Sequence, residues 1–143
     1  WYEVSNWSRS AETRSTHNMA YWQSNDWWGF GPGAHSHIGG TRWWNVKHPA
    51  TYAEKLVAGA SPALAREVLS RDTQLTERIL LEIRISDGLS IEVIRELNPD
   101  AAKLVAGFIA EGLVDPKSAL SGRILLTRKG RLLADSMVRD LIG

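Results

Sequence analysis

Cysteine is absent from the 143 residues. That excludes disulfides, thiolate metal sites and any cysteine-ligated iron–sulfur cluster built from this chain alone. No apolar run approaches the roughly 20 residues a membrane-spanning helix needs, and no charged, apolar, cleavable leader opens the chain. Charge of one sign is missing too. Seventeen basic residues against sixteen acidic ones leave a formal net charge of +1, so nothing advertises a nucleic-acid or membrane-surface partner. A soluble, cytoplasmic setting is the expectation. Tryptophan and histidine are missing from one stretch only: all seven tryptophans lie at or before Trp44, and all four histidines between His17 and His48. An ordinary single domain spreads its aromatics around one core. The polarisation therefore predicts two units, residues 1–60 and 61–143, with the boundary between Gly59 and Asp72.

The opening Trp1-Tyr2-Glu3-Val4-Ser5 has no Met and no N-terminal cap. It reads as the middle of a strand running to Trp7, and the chain is expected to be a fragment of a longer protein. Ser8 to Thr16 reads as a polar loop and His17 to Trp22 as a helical turn. Trp27 to His37 reads as an extended, Gly-rich run, Gly39-Gly40 as a turn, and Thr41 to Val46 as a second extended run. Pro49 fits a helix first turn, with the helix running from Ala50 to Ala58 and Gly59 beyond it.

Beyond the boundary, Leu75, Ile79, Leu80 and Ile83 mark one apolar helical face. Ser90 can cap a helix over Ile91 to Leu97, with Val93, Ile94 and Leu97 turned inward. Asn98-Pro99 starts a third helix with apolar Ala101, Leu104, Val105, Phe108 and Ile109, and Gly112 ends it. Leu113-Val114 and Arg123 to Leu126 read as two strands around a polar turn. Thr127 can cap a last helix bearing Leu132, Leu133, Met137 and Leu141. Helix, helix, helix, hairpin, helix is the plan of an α+β winged-helix domain. Duplex binding draws its affinity from cations on phosphates, yet Asp100 to Glu111 carries one, Lys103. Residues from Leu75 onward balance ten basic against ten acidic side chains. Arg123, Arg128, Lys129 and Arg131 cluster at the hairpin and read more simply as a solvated rim. No nucleic-acid partner is expected, and the unit reads as a packing or partner-binding module.

Chemistry concentrates in the first unit. If His17 to Trp22 is helical, His17 and Tyr21 are four apart, as are Asn18 and Trp22, which would make one face with Met19 and Ala20 turned away. A neutral imidazole is a good axial ligand for haem iron, and flanking aromatics suit a porphyrin. The alternative is that the aromatics are core and His17 a hydrogen-bonded scaffold residue. Gly29-Phe30-Gly31-Pro32-Gly33-Ala34 does not open a helix as a dinucleotide loop must; alternating glycines let a ligand or another backbone come close. His35 and His37 share one strand face, and with His48 they raise zinc; no Cys and no firmly placed carboxylate completes such a site. No nucleophile elbow is present.

The segments YEVSNW (Tyr2 to Trp7), HNMAYW (His17 to Trp22), GFGPGAHS (Gly29 to Ser36) and RWWN (Arg42 to Asn45), with LTRKGRLLADSMVRDL at the end, resemble the late part of the radical-SAM oxygen-independent coproporphyrinogen III oxidase family. The HNxxYW hexapeptide is closer to its haem-chaperone branch. The resemblance implies that residues 1–60 are the C-terminal end of a partial radical-SAM β/α barrel and 61–143 a winged-helix-like C-terminal domain. It implies haem-binding residues His17, Asn18, Tyr21 and Trp22, with His17 on the iron, and a SAM pocket near Gly31, Gly33, Ala34 and His35. S-adenosylmethionine and a [4Fe–4S] cluster belong to the full-length parent. Haem and haem-accepting respiratory proteins are the implied partners; peripheral membrane contact and a dimeric parent stay open. Without cluster cysteines this chain alone is not expected to catalyse radical chemistry. Two other readings remain: a fragment of a coproporphyrinogen III oxidase, which decarboxylates its substrate by a radical route, and a winged-helix nucleic-acid or protein interaction module.

Overall fold

The computed structural model describes residues 1–143. The chain divides into two compact units, residues 1–24 together with 75–143, and residues 25–74. This partition differs from a cut near residue 60. The first 24 residues fold with the C-terminal part, because Tyr2 and Met19 bury with Ile85 in one apolar cluster.

Residues 25–74 are built on a three-stranded antiparallel sheet, β1 (His35–Ile38), β2 (Thr41–Asn45) and β3 (Ala63–Val68), with β2 central. The Gly39-Gly40 turn sets the β1–β2 register, pairing Ile38 with Thr41 and His35 with Trp44. Both glycines have positive φ, 56° and 76°, as a tight hairpin turn requires. Helix α2 (Pro49–Val57) follows β2 and starts on its proline, whose missing N–H costs nothing at a first turn. Strand β3 falls where the sequence reads as a boundary. Its side chains are mostly exposed, so it lacks the in–out hydrophobic alternation that marks a half-buried strand.

The larger unit holds α1 (Thr16–Trp22), α3 (Arg71–Glu82, from Leu75), β4 (Leu89–Ser90), α4 (Ile91–Leu97), α5 (Ala101–Ala110), α6 (Pro116–Leu120), β5 (Arg123–Ile124), α7 (Arg128–Leu132) and α8 (Ala134–Ile142). Its core joins Leu75, Ile79 and Ile83 from α3 and its end to Val93 and Ile94, Val105 and Phe108, and Met137 and Leu141. Leu75, Ile79 and Ile83 repeat every four residues along one face, as expected, but Leu80 lies off it and is 42% exposed. Ile94 is fully buried. Ile94→Ala is expected to cost about 2–5 kcal/mol of unfolding free energy through lost transfer and cavity terms, readable by chemical denaturation.

Three expectations change in this unit. The strand over Tyr2 to Trp7 reduces to a single bridge between Glu3 and Ile85, because the chain reverses at once and Glu3 also bridges Asn6. The expected hairpin is a lone bridge between Val114 and Leu126, with α6 filling the intervening turn, while β5 pairs with β4 instead. The last helix is two: Thr127 caps α7, accepting from the Gly130 amide at 3.1 Å, and the helix breaks at Leu133 before α8. Leu132 and Leu133 are accordingly exposed, while Met137 and Leu141 are buried. Gly130 is fixed by space, since a Cβ there would collide with the Leu113 carbonyl.

Candidate functional site

Helix α1 starts at Ser15, whose hydroxyl accepts from the Asn18 amide at 3.2 Å. Seven residues are too few for a helix to hold itself in water, so packing must hold it. At about 100° per residue, Asn18, Trp22 and Met19 share one side, and His17 and Tyr21 the other. Met19 is buried with Tyr2 and Ile85, and Trp22 packs against that cluster. Asn18 Nδ2 donates to the Tyr2 hydroxyl at 3.3 Å, and the Arg84 guanidinium sits 5.5 Å from the Trp22 ring centre. His17 and Tyr21 project outward, both exposed, their rings meeting edge to face at 4.9 Å and 89°. The four residues therefore do not form one continuous face, and Met19 turns inward rather than away. The reason is that the helix presents its widest apolar arc, Met19 with Trp22, to the Tyr2–Ile85 cluster.

Beneath α1 lies a charge network that the sequence does not announce. Glu3 is fully buried. Its Oε2 accepts from the Ser5 amide at 2.8 Å and the Ser5 hydroxyl at 2.7 Å, and its Oε1 from Arg84 Nε at 3.0 Å. Arg84 also reaches Asp135 at 3.2 Å. Burial alone would push the Glu3 carboxyl up, but the hydrogen bonds from Ser5, Asn6 and Arg84 outweigh it and hold the carboxyl below its ordinary value. A lowered folded pKa stabilises the native state above the ordinary glutamate value. That contribution fades as pH falls from about 4.3 through the lowered one. Glu3→Gln is expected to flatten this acid limb in unfolding curves recorded from pH 6 downward. The polar Ser5-Asn6 pair, typical of turns, was the sequence signal for this reversal; nothing in the sequence points to Arg84.

In residues 25–74 the glycine run is held by its own unit. The Gly29 amide donates to Ser36 Oγ at 2.9 Å, and the Gly31 amide to the Tyr52 hydroxyl at 3.2 Å. The Gly33 amide donates to the Val46 carbonyl and the Ala34 amide to the Gly31 carbonyl. Asn45 Nδ2 donates to the Gly31 carbonyl at 3.0 Å. A Cβ on Gly29 would strike the His35 carbonyl, so close backbone approach explains that glycine. His35 is exposed and stacks on Trp44 at 5.8 Å. His37 leans on Trp27 at 5.0 Å with its Nδ1 3.8 Å from Asp26. His48 precedes α2 and makes no capping bond. No three His, Cys, Asp or Glu side chains gather closely enough to hold a metal ion.

The same unit carries a cleft of about 770 Å³ that sequence reading missed. Trp43 and Arg66 come from the sheet, Tyr52 and Leu56 from α2, and Trp28 and Phe30 from the glycine run. Gly31, Gly33, Ala34 and His35 are not part of its wall. The tryptophan density was the available signal; the facing helix and β3 had to be placed before the cleft could be seen.

No protein-family model matches the chain. Its full length aligns with the haem chaperone HemW of Mycobacterium tuberculosis at 47% identity over 144 residues, 35% of that relative's length. The HemW haem chaperone of Bacillus subtilis is 29% identical over 150 residues, covering 99% of this chain and 38% of the relative. Over its full length the chain is similar to one part of these haem chaperones. It spans about a third of the length of the curated relatives it matches. Coproporphyrinogen III oxidase HemN of Escherichia coli, a radical-SAM enzyme, shares the mixed α/β fold with a TM-score of 0.57 at 24% identity, over 83% of this chain and 29% of that one.

Two features of the chain bear on its chemistry. Without a thiolate among the 143 residues, these residues cannot ligate a [4Fe–4S] cluster. The cation cluster near the C-terminus is largely occupied by the protein itself: Arg123 donates to the Asp87 and Gly88 carbonyls, Lys129 to the Glu111 carbonyl, and Arg131 lies 4.2 Å over the Trp1 ring. Phosphate contacts would have to compete with those bonds. No helix is long and apolar enough to cross a membrane.

Proposed function

We propose that this chain is the haem-presenting part of a radical-SAM haem chaperone, with His17 as the iron ligand. The observation that carries the reading is the state of His17. Its imidazole is exposed on the outer side of α1, meets the Tyr21 ring edge to face, and makes no hydrogen bond that would occupy a ring nitrogen. Neutral imidazole nitrogen is a good haem ligand, and the Tyr21 ring beside it supplies an apolar edge for the macrocycle. Asn18 and Trp22 serve the same site from the inner side, by fixing the angle at which α1 offers His17. Haem is cargo here, passed on to haem-dependent respiratory proteins in the cytoplasm.

In the whole protein, a cluster and S-adenosylmethionine belong to the radical-SAM part, and the cluster's thiolates must come from outside these 143 residues. SAM contact at Gly31, Gly33, Ala34 and His35 rests on the family resemblance alone. The amides of Gly31, Gly33 and Ala34 are already donated, to the Tyr52 hydroxyl and to the Val46 and Gly31 carbonyls, which leaves the exposed His35 imidazole as the group able to meet a cofactor. The assignment of 1–60 to the end of the barrel and of 61–143 to a winged-helix-like domain belongs to the same proposal. It is supported in the C-terminal part by the order α3, β4, α4, α5, β5 and the closing helices.

The test is uptake and release. The intact protein, titrated with haem and followed at the Soret band, is expected to bind saturably and to yield the haem to a respiratory apoprotein. Absence of haem binding together with turnover of coproporphyrinogen would replace this reading with the enzymatic one.

A further inference from the structure

Strand β3 ends the sheet of residues 25–74 on one side and has β2 as its only partner strand. The Leu69 amide, just past β3, donates to the Gly40 carbonyl at 2.8 Å. In an antiparallel ladder, residues turned toward the neighbour alternate with residues turned away. Counting back from Leu69 through the register, Glu67 and Ala65 turn their backbone to β2, and Val68 and Arg66 turn theirs to the outer edge. No other segment of the chain bonds the backbone of those two residues. Each therefore offers one amide donor and one carbonyl acceptor to an incoming strand.

The side chains define what such a strand must carry. Arg66 lies opposite Trp43 and Val68 opposite Thr41, so both stand on the sheet face that Trp43 lends to the cleft. Val68 is 72% exposed, and Leu64, in the cleft wall, is 59% exposed. Arg66 is exposed between them and makes no ion pair or hydrogen bond. Glu67, on the other face, is held by Arg42 at 3.1 Å. A strand laid along this edge satisfies the guanidinium with an acid opposite Arg66, and covers Leu64 and Val68 with apolar residues two positions to either side.

Two other occupants fit this edge less well. A second copy meeting it antiparallel would set Arg66 against Arg66 or, in the next register, Glu67 against Glu67, and like charges directly opposite destabilise a pair. An edge continued by another strand of the same polypeptide needs no charges. Yet β3 carries one on each face near its centre, as strands do that end a sheet in water. We infer that the β3 edge docks an extended segment of a separate protein by strand addition, with an acidic residue of that segment paired to Arg66. The inference does not depend on His17, so the two can fail separately.

The probe is the fluorescein-labelled peptide Ser-Val-Thr-Glu-Thr-Val-Ser, titrated with the intact protein and followed by anisotropy, beside the same peptide with lysine in place of glutamate. Wild type is expected to bind the glutamate peptide saturably and about tenfold more tightly, since the lysine peptide exchanges an opposite-charge pair for a like-charge one. Arg66→Glu is expected to invert that order. Val68→Pro removes an outward amide and leaves the ladder to β2 whole, which an edge strand tolerates; this variant is expected to bind neither peptide. Arg66→Glu changes only an exposed side chain, so it keeps the test decisive should the proline variant not fold. Equal affinity of wild type for the two peptides overturns the inference, as does unchanged binding in Val68→Pro. So does an intact protein that binds neither peptide. Slow exchange of its Arg66 and Val68 amides would then assign the edge to its own polypeptide in a monomer, or to a second copy in a dimer.

Discussion

Replacing His17 by alanine is expected to weaken haem binding on the order of a hundredfold and to remove the low-spin imidazole signature from the absorption spectrum. The size follows from the loss of the iron bond itself. Neither Tyr21 nor the exposed outer side of α1 supplies another nitrogen ligand within the larger unit, where His17 is the only histidine. Folding should be untouched. His17 is exposed and its one recorded contact is the Tyr21 ring, so the variant's unfolding curve is expected to overlay that of wild type, as surface substitutions usually do. A large stability change in His17→Ala, measured by chemical denaturation, would mean that the imidazole is a scaffold group after all.

Arg84→Met should do the reverse, costing stability first and haem affinity as a consequence. Arg84 ties three things together: the buried Glu3 carboxylate, the exposed Asp135 carboxylate and the ring of Trp22. Removing the guanidinium leaves Glu3 charged with only Ser5 and Asn6 for company. Breaking one side of a buried pair typically costs about 3–5 kcal/mol. The lower end, about 3 kcal/mol, is expected here because those two neighbours go on donating to Glu3. Trp22 also loses its cation, so α1 should loosen and haem should bind more weakly without any change in the ligand. The double variant Arg84→Met with Glu3→Gln should recover part of the stability, since the stranded charge is gone. Stability of Arg84→Met equal to wild type in denaturant titrations would dissolve this network as the support of α1.

How much of this was readable beforehand depended on whether a residue's surroundings were local. Turn and cap signals translated directly: Gly39-Gly40 made the β1–β2 turn, Pro49 opened α2, and Asn98-Pro99 led into α5, where Asn98 Oδ1 accepts the Asp100 amide at 2.9 Å. The helical turn of HNMAYW was legible as well, although its cap, Ser15, lies in what reads as a polar loop. Its orientation was not. Spacing put His17, Asn18, Tyr21 and Trp22 on one face, and only the distant partners Tyr2, Arg84 and Ile85 draw Asn18, Met19 and Trp22 inward and leave His17 and Tyr21 outside. Strand β3 stayed hidden because its pairing partner, not its composition, makes it a strand: Arg66 lies opposite Trp43 and Glu67 opposite Arg42. Glu3, a charge at zero exposure, was beyond local reading altogether, since its cation stands 81 positions away. The expected hairpin met the same limit. The helices were read from periodicity, but β5 crosses to β4 rather than closing a hairpin with Val114.

The account stands on His17 as the iron ligand, and a ligand exchange tests that more directly than a deletion. The measurement is the absorption spectrum of ferric haem bound to the intact His17→Cys protein, beside wild type. Cysteine is otherwise absent from these 143 residues, thiolate ligation changes the electronic structure of haem iron, and the wild-type spectrum beside it accounts for thiolates elsewhere in the intact protein. A shift to a thiolate-type Soret band is the predicted result. A spectrum identical to wild type would show that another group holds the iron and would contradict the proposal.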